Sequence, residues 1–197
     1  MRVIGLGLVL AAPLAAAAGP LSDQLMATGL FKDAVTGPLL AYDETRSVED
    51  AGPTEARVAL VRVDTAEGPK LQLTQGEGAA AEEIAVFSTG SANPVLLYFL
   101  EATVRDMAAA TGGNPFYVRN RIREALVASD LGAGEPREVV LQPFAADPNR
   151  GRMGDYADVS LRFRFEAEHP DRLLELSADT AGNEGGYHHR MTLAGED

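Results

Sequence analysis

"NPVLLYFLEATVRDMAAATGGNPFYVRNRIREAL", residues 93–126, interrupts a chain that otherwise reads as β-structure, and its reading decides the fold. Both halves open on the same pair, Asn93-Pro94 and Asn114-Pro115. An asparagine side chain can accept a hydrogen bond from a free amide of the first helical turn. Proline suits the first helical position, where its missing N–H would be unpaired anyway. Gly112-Gly113 supplies residues that adopt the left-handed helix stop at little cost. The segment therefore predicts two helices joined by a very short connection, an αα-hairpin. The first half of the first helix is apolar nearly all round, which predicts burial. Glu101 precedes Arg105 by one turn, the favourable order for an ion pair on a helix surface.

Outward from this hairpin, both flanks alternate with the two-residue period of strands. Before it come "LLAYDETRSVE", with Leu40, Tyr42 and Glu44 on one face, then "ARVALVRVD", "KLQLTQG" and "EEIAVFSTG". Gly68-Pro69 between two of these runs predicts a hairpin. After it come "REVVLQPF", "ADVSLRFRFEAE", "RLLELSAD" and "GYHHRMTLAG". The clearest alternation sets Val159, Leu161, Phe163 and Phe165 against Ser160, Arg162, Arg164 and Glu166, a half-buried antiparallel strand with one wet face. A further hairpin is expected through "EHPDR". Residues 21–35 show rough helical spacing and predict a short leading helix, weakened by Gly29. The fold class is α+β: a curved, mostly antiparallel sheet of about seven or eight strands, with the central αα-hairpin packed on one face.

This order of elements loosely resembles the half-open barrels of periplasmic lipoprotein carriers, in which helices cover the concave face of an antiparallel sheet. The resemblance lies in compartment, mature length, a leading helix and element order, and it carries no functional residue across. The stretch 93–126 is itself similar to uncharacterised exported proteins of proteobacteria, a similarity that implies no activity.

Compartment follows from the first residues. Met1-Arg2 leads into an uncharged run from Val3 to Ala18 that ends in "APLAAAAG". A positive start, a short apolar core and small residues at the cut are the pattern of a cleavable signal peptide, predicting residues 1–18 as leader, 19–197 as one domain, and export to the periplasm. The run is too short and too alanine-rich to span a bilayer, and Pro13 interrupts it. The mature chain is expected to have no transmembrane segment. There are no cysteines, so disulfides, thiolate metal sites and thiol catalysis are excluded.

The formal net charge is −12, and loss of Arg2 with the leader leaves 16 basic against 29 acidic residues, or −13. Such a chain repels nucleic acid and anionic lipid surfaces on average. The charge is uneven, because residues 105–164 hold 9 basic and 8 acidic side chains between two acidic flanks. Mutual neutralisation among segments is the simplest use of that pattern.

Catalytic motifs are missing from the sequence. The two lysines, Lys32 and Lys70, lack phosphate-loop context, and there is no Gly-x-Ser-x-Gly elbow, His-Glu-x-x-His helix or Ser-x-x-Lys. His188 and His189 are consecutive on a strand and so point to opposite faces. They suit exposed or capping roles better than a metal site, which would also need a carboxylate such as Glu184. His169 precedes Pro170 in an expected turn. "DPNRGRMGDYAD", residues 147–158, has Asp147, Asn149 and Asp158 at calcium-loop positions, but Gly151 and Arg152 replace residues such a loop needs. An ordinary polar loop is expected there. No catalytic residue, metal or cofactor is assigned.

What remains is binding. Leu96, Tyr98, Phe99, Val104 and Met107 are candidates to line an apolar cavity that accepts an acyl chain or a hydrophobic peptide, the competing view being that they fill an ordinary core. On the second helix, Val118, Ile122, Ala125, Leu126 and Ser129 form one stripe. Arg121 falls on one border of it, and Arg119 with Arg123 near the other. Only those two can grip one carboxylate or phosphate together, and an internal acid is the favoured partner. The sequence points to a non-enzymatic exported protein that binds a partner protein or a lipid-like ligand through the helix-covered sheet. The alternative is a cell-envelope hydrolase or transferase with dispersed carboxylates.

Overall fold

Side chains that alternate between oil and water produce eight strands among the described residues, all in one antiparallel sheet. The computed structural model describes residues 21–48, 52–131, 134–180 and 186–195; the expected leader and Glu184 lie outside them. The strands are β1 (Gly37–Ser47), β2 (Thr54–Thr65), β3 (Gly68–Gln75), β4 (Glu82–Ser88), β5 (Arg137–Leu141), β6 (Ser160–Glu166), β7 (His169–Asp179) and β8 (His188–Leu193). The helices are α1 (Leu21–Leu25), α2 (Pro94–Thr111) and α3 (Pro115–Ala128). The α+β class, the antiparallel sheet and the central helical pair are as the periodicity predicts.

Strand order is β4-β3-β2-β1-β8-β7-β6-β5. Each half of the sheet is a meander, and the halves meet where β1 pairs with β8, from Tyr42 opposite Leu193 to Ser47 opposite His188. The α2–α3 pair carries the chain from one edge strand, β4, to the other, β5. Between them the sheet is open.

One face of the sheet is apolar because the inward positions of successive strands agree. Tyr42, Val58, Leu60, Leu71, Leu73, Leu161, Phe163, Phe165 and Met191 have no exposed surface. Helix α2 covers this face: the Phe99 ring meets Phe163 edge-on with centroids 6.3 Å apart and tilts against the His189 ring at 4.7 Å. The outward face carries cross-strand charge pairs. Arg162 and Arg164 flank Glu138, and Glu175 lies between Arg164 (3.5 Å) and Arg190 (3.8 Å). Of these pairs, Arg164–Glu175 joins the middle segment to its acidic flank, the exchange the charge pattern suggested, while the others pair within one segment.

Both Asn-Pro starts cap as expected, Asn93 accepting from the Val95 amide at 3.0 Å and Asn114 from Phe116 at 2.9 Å. Gly112 ends α2 in the left-handed conformation, with φ of 61°. The leading helix is much shorter than residues 21–35. Gly29 takes a φ of 69°, and Thr28 forms an isolated bridge with Ala92, so backbone that would have continued the helix pairs elsewhere. The second hairpin turns at residues 167–168, and His169 is the first residue of β7 rather than part of a turn.

Candidate functional site

Helix α2 has two apolar sides. Leu96, Phe99, Thr103 and Met107 recur at helical spacing toward the sheet and are fully buried. Leu97, Leu100 and Val104 recur about a quarter of a turn round from these, toward α3 and α1. Helix α3 contributes its stripe, Val118, Ile122 and Leu126, at 2–3% exposure, with Ala125 and Ser129 half-buried at its margin. Between these elements runs a groove of about 390 Å³. Leu97, Leu100, Val104, Ile122, Leu126 and Val127 form its apolar walls, Ser22 and Met26 close one end, and Glu101, Arg119 and Arg123 stand along its rim. Val127 is 61% exposed and Met26 38%, so this apolar surface reaches solvent.

The rim charges are unequal. Glu101 receives Arg119 Nη2 on both oxygens, at 2.8 and 3.1 Å, and Arg105 Nε at 3.2 Å. Burial opposes ionisation of Glu101, but the Arg119 bonds and then Arg105 outweigh it and hold its carboxyl below the ordinary range. Arg123 lies one turn beyond Arg119 on α3, exposed, with no acidic partner among the described residues. Arg121 is on the other border of the stripe. It bonds Asp147 through Nε at 2.6 Å and Glu124 through Nη1 at 2.7 Å.

Of the residues singled out from sequence, the groove brings together Val104, Arg119 and Arg123. Leu96, Phe99 and Met107 lie on the adjoining, sheet-facing side of α2, packed into the core. Tyr98 sits on the flank of α2 beside β4, bordering a separate cleft with Arg46, Ile84, Phe87 and Arg105. Leu97, Leu100 and the α1 residues were not singled out. The first two had a signal, since 97, 100 and 104 are a second helical stripe; α1 had none.

A second constellation lies under α2. Glu44 of β1 and His189 of β8 are 4% and 0% exposed, with His189 Nε2 2.8 Å from Glu44 Oε1. Tyr98 donates to both Glu44 oxygens at 3.1 and 3.3 Å, and Gln75 donates at 2.9 Å. Burial works against the Glu44 charge, but the His189 bond and charge, followed by Tyr98 and Gln75, prevail and lower its pKa. His189 Nδ1 is 3.5 Å from Thr103 Oγ1, which accepts from Tyr187 at 3.4 Å and donates to the Phe99 carbonyl at 2.9 Å. Beside them Arg46 grips Asp106 with two bonds, that from Nε being 2.7 Å. Every polar atom of Glu44 is therefore occupied by a neighbour.

His189 is thus neither exposed nor a cap. β8 lies in the middle of the sheet, so its inward side is under α2, while His188 points outward to Asp179 at 2.8 Å. Glu44 carried the missed signal: an acid sharing a strand face with Tyr42 must find buried donors. The 147–158 segment forms two short 3-10 turns, Arg150–Arg152 and Gly154–Asp158. Asp147 serves as a buried counter-ion there, bonded by Tyr117, Arg121 and the Asn149 amide. No cluster of three or more metal-binding side chains exists among the described residues, and no described helix is long and apolar enough to cross a membrane. No protein-family model matches the chain, and no curated protein matches it either.

Proposed function

We propose that the chain is a non-enzymatic binding protein, exported to the periplasm through its leader, and that it holds an apolar ligand in the groove between α1, α2 and α3. The observation that carries this is the groove itself, an open channel whose walls are almost entirely aliphatic although it faces water. Aliphatic surface left in water costs roughly 25 cal/mol per Å² relative to burial, and an apolar ligand laid over Leu97, Leu100 and Val127 would recover that cost. The space first suggested for a ligand, between helices and sheet, is filled by Leu96, Phe99 and Met107; the ligand surface is on the outer side of the same helix.

Native mass spectrometry of protein purified gently from the periplasm tests the proposal. A retained small molecule is expected on the natural protein and not on Leu100→Asp, which places a charge in the apolar wall. Circular dichroism would verify that the variant folds. Loss of nothing in Leu100→Asp, or binding of a neutral apolar dye equally by both proteins, would refute it.

A further inference from the structure

The rim of the groove limits what kind of apolar molecule fits. On the rim Arg119 pairs with Glu101, which also receives Arg105 from outside the groove, so the one rim carboxylate is already taken and Arg123 is left over, on a protein whose overall charge is −12. Arg123 stands one turn from Arg119 on the rim and bonds no acid among the described residues. Long basic side chains lay their methylene stems along apolar walls and keep the charge at the mouth. A guanidinium fork matches the two oxygens of a carboxylate or similar oxyanion. The walls below are aliphatic. With about 390 Å³, the groove is at the small end of ligand sites, which span about 300 to 1,000 Å³, and has room for one chain rather than two.

We infer that the groove takes a single-chain anionic amphiphile, its tail along the α2–α3 seam and its oxyanion on Arg123 beside the Arg119–Glu101 pair. This rests on the binding role proposed above and adds to it the chemical class of the ligand. The overall negative charge does not oppose it, because charges beyond about 8–10 Å are screened at physiological salt.

Displacement of a neutral environment-sensitive dye by four probes tests this on the purified protein: laurate, dodecyl maltoside, dodecyltrimethylammonium, and phosphatidylglycerol vesicles. Laurate is expected to bind most tightly. Arg123→Gln is expected to weaken laurate by about tenfold, the worth of one charge-assisted hydrogen bond, and to leave dodecyl maltoside unchanged. Arg152→Gln, which removes the same charge from an exposed residue outside the groove, should change neither. Equal affinity for laurate and maltoside, or equal effects of the two arginine substitutions, would overturn the oxyanion site while leaving an apolar groove intact. Tighter binding of the cationic probe or of the two-chain vesicles would overturn the ligand class. If no probe displaces the dye, both this inference and the groove's binding role fall.

Discussion

Phe99 and Leu100 are neighbours on α2 and face opposite fates. Phe99 is enclosed between Phe163 and His189, with no exposed surface, whereas Leu100 borders the open groove. The same contrast recurs on α3, where Arg121 reaches the buried Asp147 and Arg123 reaches nothing acidic among the described residues. Hydrophobicity alone does not separate the two sides. What separates them is whether a second layer of structure covers them, and stability should therefore reside on one side and binding on the other.

Several substitutions can break that division. Phe99→Ala should cost about 3–5 kcal/mol, the range for emptying a large aromatic site in a packed core, read as a fall in the urea midpoint without loss of groove affinity per folded molecule. Glu44→Gln replaces a carboxylate that accepts from three side chains by a group with one acceptor oxygen. About 1–3 kcal/mol should be lost, and a similar loss is expected for Arg121→Ala, which strips a partner from Asp147. An equal loss in Arg123→Ala would erase the distinction between the two borders of α3. Val127→Ser, on the open side, should change stability by no more than about 0.5 kcal/mol while weakening ligand binding measurably.

Acid sharpens the comparison further. Glu44 and Glu101 both have pKa values below the ordinary glutamate value. Each therefore contributes stability that is fully present above the unfolded value, about 4.3, and is lost as pH falls through the lower folded value. Because Glu101 is on the open side and screened by water, Glu44 should contribute more of the acid sensitivity than Glu101 does. Chemical denaturation at pH 7 and pH 4 should show a smaller difference for Glu44→Gln than for the natural protein; an undiminished difference would place the sensitivity elsewhere.

Much of the architecture was legible from local pattern. All eight strands and both long helices follow from periodicity and from the Asn-Pro and Gly-Gly signals, because those features act within a few residues. Strand order was not legible: the pairing of Tyr42 with Leu193 joins positions at opposite ends of the described chain, and no local signal records it. The Glu44–His189 contact was hidden for the same reason. At the site, the separation of Arg121 from Arg119 and Arg123 came directly from the 100° step of a helix. Which apolar side of α2 lay against the sheet did not, because a helix that is apolar nearly all round has no preferred face until its neighbours are known.

The seam between β1 and β8 gives β8 an unusual importance. In many sheets a terminal strand is an edge, and shortening it trims the periphery. Here a stop or cleavage before His188 would leave β1 and β7, two interior strands, facing each other across an empty row. Both would present unpaired amides and carbonyls at the centre of the molecule, the kind of template that recruits other chains. Loss of β8 therefore acts as loss of the keystone, and a product lacking it is expected to aggregate rather than merely fray.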